Sequence, residues 1–395
     1  MNYILFDESM VRANLLPLTF MRPVADIRVG IMTIREKWER ALKAKTSSLT
    51  EDYLARKFPI VKEKENILIN GSVCPNDEIV KCLKELKNSQ TLVYQDTIVA
   101  WAVSEDEIGD HGDSTSDGED IMLTEAPLKI NNPWEIFSKN DLAITEDFEL
   151  LTRGKKSQKI SETNRVFGNG KIFLEKGAEV EGTSLNATNG PIYIGKDAVV
   201  MEGSLIRGPV AILDGTIIKM GAKIYGPTTF GPGCRIGGEV NNSVFFGNSN
   251  KAHDGFVGHS VIAEWCNLGA DTNTSNLKNT YDHVRLWNYP KRTFVNTNMQ
   301  FCGLIMGDHS KCGINTMFNT GTVVGVNANI FGPGFQRNFI PSFTWGGTSG
   351  HSNYDLDKAI EVAEAVYQRR DKIFDETEQE LLKSVFKVTL RNRRL

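Results

Sequence analysis

The sequence predicts an α/β domain, then a solenoid of short β-strands, then a helical tail. Three observations predict it. Strand and helix patterns alternate up to about residue 160, a six-residue apolar repeat follows, and an amphipathic stretch begins at residue 353. The 395 residues are ample for more than one domain and a large core. The expected boundaries are 1–160 for the front domain, 166–350 for the solenoid and 353–395 for the tail.

In the front domain "YILF" (3–6) and "NILIN" (66–70) are short apolar runs of the kind found in buried strands, and "TLVYQDTIVAWAV" (91–103) reads as a longer one. "IREKWERALKAK" (34–45) and "DEIVKCLKELKN" (77–88) read as helices. In the second, Ile79, Val80, Leu83 and Leu86 fall on one face. "SEDEIGDHGDSTSDGED" (104–120) is acidic and polar, which predicts a mobile surface loop. Its carboxylates lack the fixed spacing of a metal site.

The solenoid is defined by its period. Every sixth residue from 194 is apolar: Ile194, Val200, Ile206, Ile212, Ile218, Ile224, Phe230 and Ile236. Four residues after each stands a small or β-branched one: Ala198, Ser204, Val210, Thr216, Ala222, Thr228, Cys234 and Val240. Neither a helix nor a long strand has this period; a coil of short strands joined by tight turns does. Each coil buries its apolar face only by stacking on the next. The phase breaks at Asn242 and returns, shifted, at Ile305, Met317 and Val323, with Lys311 as a defect. Between them "LKNTYDHVRLWNYPKRTFVNTNMQ" (277–300) is too long and aromatic for a coil corner and reads as an inserted loop or hairpin. In the tail, "NYDLDKAIEVAEAVYQRR" (353–370) is an amphipathic helix with Leu356, Ile360, Ala363 and Tyr367 near one face. A second helix is expected over 374–386, and the basic "KVTLRNRRL" that follows reads equally as a solvated terminus or a phosphate-binding one.

Composition removes several function classes. Lys+Arg number 45 and Asp+Glu 49, a net charge of −4. That excludes the basic surface a nucleic-acid or anionic-membrane binder needs, and leaves room for a local basic pocket. The 6 cysteines show no CxxC spacing and read as reduced, packed thiols. The start has no basic segment leading into a long apolar one, and no run approaches the roughly 20 apolar residues of a membrane span. A cytoplasmic protein is the expectation.

The chemistry is concentrated where the repeat breaks, in "NKAHDGFVGHSVIAEWCNLGADTNTSN" (250–276). The repeat is similar to that of the left-handed β-helix acyltransferases, which are trimers with active sites between neighbouring prisms. This stretch resembles the acetyltransferase centre of the bifunctional N-acetylglucosamine-1-phosphate uridyltransferase/glucosamine-1-phosphate acetyltransferase family. That centre has Ser-Lys-x-x-His, then Asn-Ile-Gly-Ala-Gly-Thr, then Asn. Lys251 and His253 fall on the first element, one residue shorter, "NLGADT" (267–272) on the second, and Asn276 on the last. The resemblance implies His253 as general base, Asn267 and Asn276 on the amino sugar, and the Ala270 backbone at the acetyl group of acetyl-CoA. Lys223 aligns with a phosphate-binding Arg, and Lys251 and Arg235 are further candidates for the sugar phosphate. Phe256 stands where the family has Tyr.

The whole chain looks like the divergent version of this family found in some bacteria, with a nucleotidyltransferase-like front domain. "RANLLPLTFMRPVADIRVGI" (12–31) resembles the Arg…Pro-Leu-Thr…Arg-Pro signature of sugar-nucleotide pyrophosphorylases. This implies Arg12 and Arg22 on the phosphates of a uridine nucleotide, with magnesium as the accompanying ion. The departures are specific: no Gly-x-Gly precedes Arg12, Val24 stands where a catalytic Lys is expected, and Ser72 replaces the metal-binding Asp, leaving the metal ligands unassigned.

The residues suit acetyl transfer to an amine. Histidine titrates near neutrality and fits a base, backbone N–H groups fit a thioester oxyanion, and amides fit a sugar. The alternative for His253 is a turn residue at a coil corner, and Asn is common in such turns. His259, six residues on, reads as structural. A metal-binding β-helix with His253, His259 and His283 would leave the asparagines unexplained. Two functions therefore stand: sugar-nucleotide biosynthesis by acetyl and uridylyl transfer, or an acetyltransferase or regulatory β-helix whose front domain only binds nucleotide without catalysis.

Overall fold

The computed structural model describes residues 1–109, 119–168 and 170–393. Its contacts divide into two units: Met1–Ile27, Met32–Asn132 and Glu376–Leu381 form the first, and Arg28–Ile31, Pro133–Asp375 and Leu382–Leu395 the second. The contacts divide at 132, ahead of the expected boundary at 160. The acidic stretch expected to be a loop falls largely at 110–118, outside the described residues.

The first unit is a mixed sheet flanked by helices. Strands β1 (Asn2–Phe6), β2 (Ser47–Leu49), β3 (Glu65–Asn70), β4 (Thr91–Tyr94), β5 (Thr97–Ser104) and β6 (Asp120–Met122) lie in the order β2-β1-β3-β5-β4-β6. β1 pairs in parallel with β2 and β3, and β5 runs antiparallel to β3 and β4. The single strand expected over 91–103 is thus a hairpin. Gln95 turns the chain at φ 51, a cue masked in sequence by the β-formers on both sides. Helices α1 (Ser9–Asn14), α2 (Ile34–Leu42) and α3 (Asp77–Glu85) complete the unit. α2 starts on a Thr33–Glu36 capping box and stops where Lys43 turns left-handed. Asn76 caps α3. The core holds Ile4, Leu5, Ile67, Leu68, Ile69, Val99 and Trp38.

The second unit is a parallel β-helix. Helices α4 (Pro133–Ser138) and α5 (Asn140–Thr152) lead into three sheets, the faces of the coil, with six, nine and ten strands. Where the repeat is regular, each coil takes 18 residues, as in the pairing of Val210 with Thr228. That is three times the six-residue period. All eight apolar and all eight small or β-branched repeat residues named above are buried. Turn positions are left-handed and held by Gly203, Gly215 and Gly221, or by Asp197, Asn242 and Asn248.

The later repeat is one residue out from its sequence reading. The inward residues are Met306, Cys312, Phe318 and Val324, which belong to the continuous core. Ile305, Lys311, Met317 and Val323 are their outward neighbours. Lys311 is therefore no defect; it stands on the outer side of the third face. The outer side of the second face is covered by α5, where Ile144 and Phe148 pack on Phe173, Tyr193 and Ala211. The insertion at 277–300 contains an antiparallel hairpin, Arg285–Asn288 with Thr293–Asn296. The tail forms α6 (Leu356–Gln368) and α7 (Glu376–Val388). All six cysteines are unpaired. Among the described residues no helix is long and apolar enough to cross a membrane.

Candidate functional site

Parallel stacking in register lines up side chains from successive coils. On the third face the pairings Arg235↔Asn250, Asn250↔Asn267, Asn267↔Lys311 and Lys311↔Asn329 make one outward column of polar residues. The column has a direction. Asn250 donates Nδ2 to Asn267 Oδ1 at 3.1 Å, and Arg370, just past the end of α6, donates Nη2 to Asn250 Oδ1 at 2.6 Å. With its oxygen engaged, Asn267 presents its NH₂ group, a pure donor.

A cavity of about 820 Å³ lies over this column, lined by His253, Asn267 and Ala270. Its basic residues are Lys219, Arg235, Lys311, Arg369 and Arg370, and among the described residues no Asp or Glu lines it. Burial pushes the Lys311 ammonium down to about 8. The Ala270 N–H makes no hydrogen bond among the described residues.

His253 sits exposed in the turn between the third-face strand Asn250–Lys251 and the first-face strand Phe256–Gly258. Lys251 holds that turn from inside. It pairs with Ile236, is 1% exposed, and donates Nζ to the carbonyls of His253 and of Asp254, the latter at 3.0 Å. Burial pushes its ammonium down to about 8. Lys251 therefore does not reach a ligand in the cavity; alternation along the strand sends Asn250 outward and Lys251 inward.

The other expected residues lie elsewhere. Asn276 donates Nδ2 to Nδ1 of His259 at 2.9 Å and does not line the cavity. Lys223 is exposed on the first face, 4.0 Å from Glu239. In the first unit Arg12 and Arg22 are buried, 5% and 6% exposed. Arg12 pairs with Asp7 at 3.1 Å and donates to Tyr53 Oη at 2.8 Å, and Arg22 donates to Leu18 O at 3.1 Å. Both guanidiniums are thus engaged by the protein. Ser72 donates Oγ to Asn70 Oδ1 at 2.7 Å.

These donors do not fit the implied magnesium ion. Asp7 accepts from Arg12, Thr50 and the Val24 N–H, and Ser72 offers no carboxylate. Among the described residues no three His, Cys, Asp or Glu gather to hold a metal.

Sequence reasoning missed Asn250, Lys219, Lys311, Arg369 and Arg370. Counting the second phase from Met306 rather than Ile305 would have turned Lys311 outward. No local pattern places the α6 arginines, which reach the cavity through tertiary packing alone.

Fold and cavity together define the class: an α/β unit followed by a parallel β-helix that carries an anion-attracting pocket. Residues 3–156 match the family model described as sugar nucleotidyl transferase. The chain is similar to the bifunctional protein GlmU of Methanocaldococcus jannaschii, 32% identical over 136 residues, which are 34% of this chain and 28% of that protein. It is also similar to a bifunctional sugar-1-phosphate nucleotidylyltransferase/acetyltransferase of Sulfurisphaera tokodaii, 27% identical over 52% of this chain and 44% of that protein. GlmU of Synechococcus elongatus is 24% identical over 55% of this chain and 50% of its own length. The matched stretches thus span half or less of these relatives. Among solved structures, the polySia specific acetyltransferase NeuO covers 53% of this chain at 13% identity with a TM-score of 0.29, a likeness too weak to argue from.

Proposed function

We propose that the β-helix transfers an acetyl group from acetyl-CoA to the amine of glucosamine 1-phosphate, as a step in making a sugar nucleotide. The carrying observation is that His253, Asn267 and the unengaged Ala270 N–H meet in one cavity whose charged lining is wholly basic. Both substrates are anions, so a basic cavity concentrates them. The amine nitrogen attacks the thioester carbonyl, a C–N bond forms, and the C–S bond breaks to release coenzyme A. His253 takes the proton that the nitrogen loses, and the Ala270 N–H faces the developing oxyanion. Asn267, fixed as a donor, holds a sugar oxygen. The relatives named as bifunctional nucleotidylyltransferase/acetyltransferases support the same pairing of activities.

In that pairing the front unit transfers a uridylyl group to the sugar phosphate, and two observations favour the alternative in which it binds the nucleotide without turnover. Arg12 is neutralised by Asp7, and Ser72 stands where a carboxylate would hold the ion. A homotrimer working in the cytoplasm completes the reading.

The test is release of free coenzyme A with glucosamine 1-phosphate as acceptor. His253→Ala should lower the rate by about 10²–10⁴, the usual worth of a general base. The exposed turn loses no core volume, so the variant should melt like wild type. Wild-type turnover in a folded His253→Ala protein would return this histidine to a corner residue.

A further inference from the structure

At the α6 end of the cavity stand two guanidinium groups, that of Arg235, one of the candidates expected for the sugar phosphate, and that of Arg370, which the sequence did not single out. Arg235 and Arg370 both donate through Nη1 to one acceptor, the Gly233 carbonyl, at 3.2 and 2.8 Å. Their Nη1 atoms are therefore no further apart than those two hydrogen bonds laid end to end. Neither has a carboxylate partner among the described residues. Arg235 otherwise reaches only the carbonyls of Gly215 and Cys234, and Arg370 only Asn250 Oδ1. Burial and the neighbouring Arg235 both push the Arg370 guanidinium below its ordinary range. Lys219 and Arg369 line the same cavity and add charge of the same sign.

Two like charges pinned to one carbonyl repel, and no carboxylate among the described residues pairs with either to offset the repulsion. Their remaining donors show what would. Arg235 uses only Nη1, so its Nε and Nη2 donate to no described residue, and neither does Nε of Arg370. Unengaged guanidinium N–H donors match the oxygens of a phosphate, which accepts several charge-assisted hydrogen bonds at once.

We propose that this corner is a phosphate subsite, in which Arg235 and Arg370 clamp a phosphate-bearing ligand while Lys219 and Arg369 supply further charge. It rests on the proposed function only for the source of the phosphate, which is either the sugar 1-phosphate or coenzyme A. The subsite also reaches the rest of the pocket, because the same Arg370 fixes Asn250 and, through it, the amide of Asn267.

Calorimetric titration of the full chain compares glucosamine 1-phosphate with glucosamine, and coenzyme A with pantetheine. Wild type should bind the phosphorylated member of at least one pair tenfold or more tightly, and that pair names the source. Arg235→Gln and Arg370→Gln should each remove the preference, and Arg370→Lys should keep some of it. Equal binding within both pairs by wild type overturns the subsite, as does an undiminished preference in folded Gln variants. A second measurement needs no variant. Inorganic phosphate should slow phenylglyoxal modification of Arg235 and Arg370 in the wild-type chain, read by peptide mass spectrometry, and unchanged modification overturns the proposal. If phosphate protects both arginines while no acetyl transfer is found, the subsite stands and the acetyltransferase reading falls.

Discussion

Asn276 and His259 form a pair that neither residue's sequence neighbourhood announces. The Asn276 amide donates to Nδ1 of His259, which leaves the ring proton on Nε2. Phe137 meets the ring edge-on at 5.7 Å and Phe301 stacks on it at 5.0 Å. Burial in this setting pushes the His259 imidazolium down to about 4. The ring is neutral in the fold and takes up a proton on unfolding, so the unfolded chain binds more protons between about pH 4 and the ordinary value of 6.5. Stability should therefore fall as pH drops through that window. His259→Asn suits the left-handed backbone there, φ 48, and should flatten this region of a melting-temperature profile. An unchanged slope would mean the ring is charged in the fold. Lys251 teaches the same lesson at this scale: its neighbour in sequence marked it for a ligand, and alternation along one strand turned it into the support of the His253 turn.

At the scale of elements, the short segment 28–31 ties the β-helix to α5. The Gly30 N–H donates to Asn140 Oδ1 at 2.8 Å and the Ile31 N–H to Asp147 Oδ2 at 2.7 Å. Thr229 returns a bond to the Gly30 carbonyl at 3.0 Å, and Asn140 reaches Pro227 O at 3.0 Å. Only glycine fits at 30. Its φ is +76, and a Cβ would lie 2.5 Å from Asp147 Oδ2 and 2.7 Å from the Ala143 backbone. Gly30→Ala should cost about 1–3 kcal/mol from backbone strain, with the clash added. Gly215 is the control, since its φ is +62 with nothing within 4 Å of an added Cβ. Thermal denaturation should show a clearly larger loss for Gly30→Ala than for Gly215→Ala; equal losses would mean that α5 gives way without cost.

For the whole molecule, the proposed trimer needs a surface on which chains can meet. The exposed first face offers a surface for it, with Leu205 53% and Phe167 49% exposed. Light scattering at micromolar concentration should give three times the chain mass, and Leu205→Glu should lower it toward one. A monomeric wild type would place the whole site within a single chain.

The β-helix was legible in sequence because its determinant is local and repeated. Each coil needs an inward aliphatic residue at the same step, and sixteen buried positions follow from that step alone. Three of the residues nominated from the sequence, His253, Asn267 and Ala270, line one cavity, since they lie on one stretch of coil. What the tertiary structure alone decided is which side chains face one another. A two-residue strand sends Asn250 out and Lys251 in, and a one-residue error in phase after the insertion hid Lys311. Asn276 went to His259 because the chain turns another corner before reaching it. The charged end of the cavity comes from Arg370 at the end of α6, 137 residues from the Gly233 carbonyl it shares with Arg235. No local period carries such a contact. It exists only because α6 packs beside the third face, and packing depends on surfaces that form after every coil is stacked.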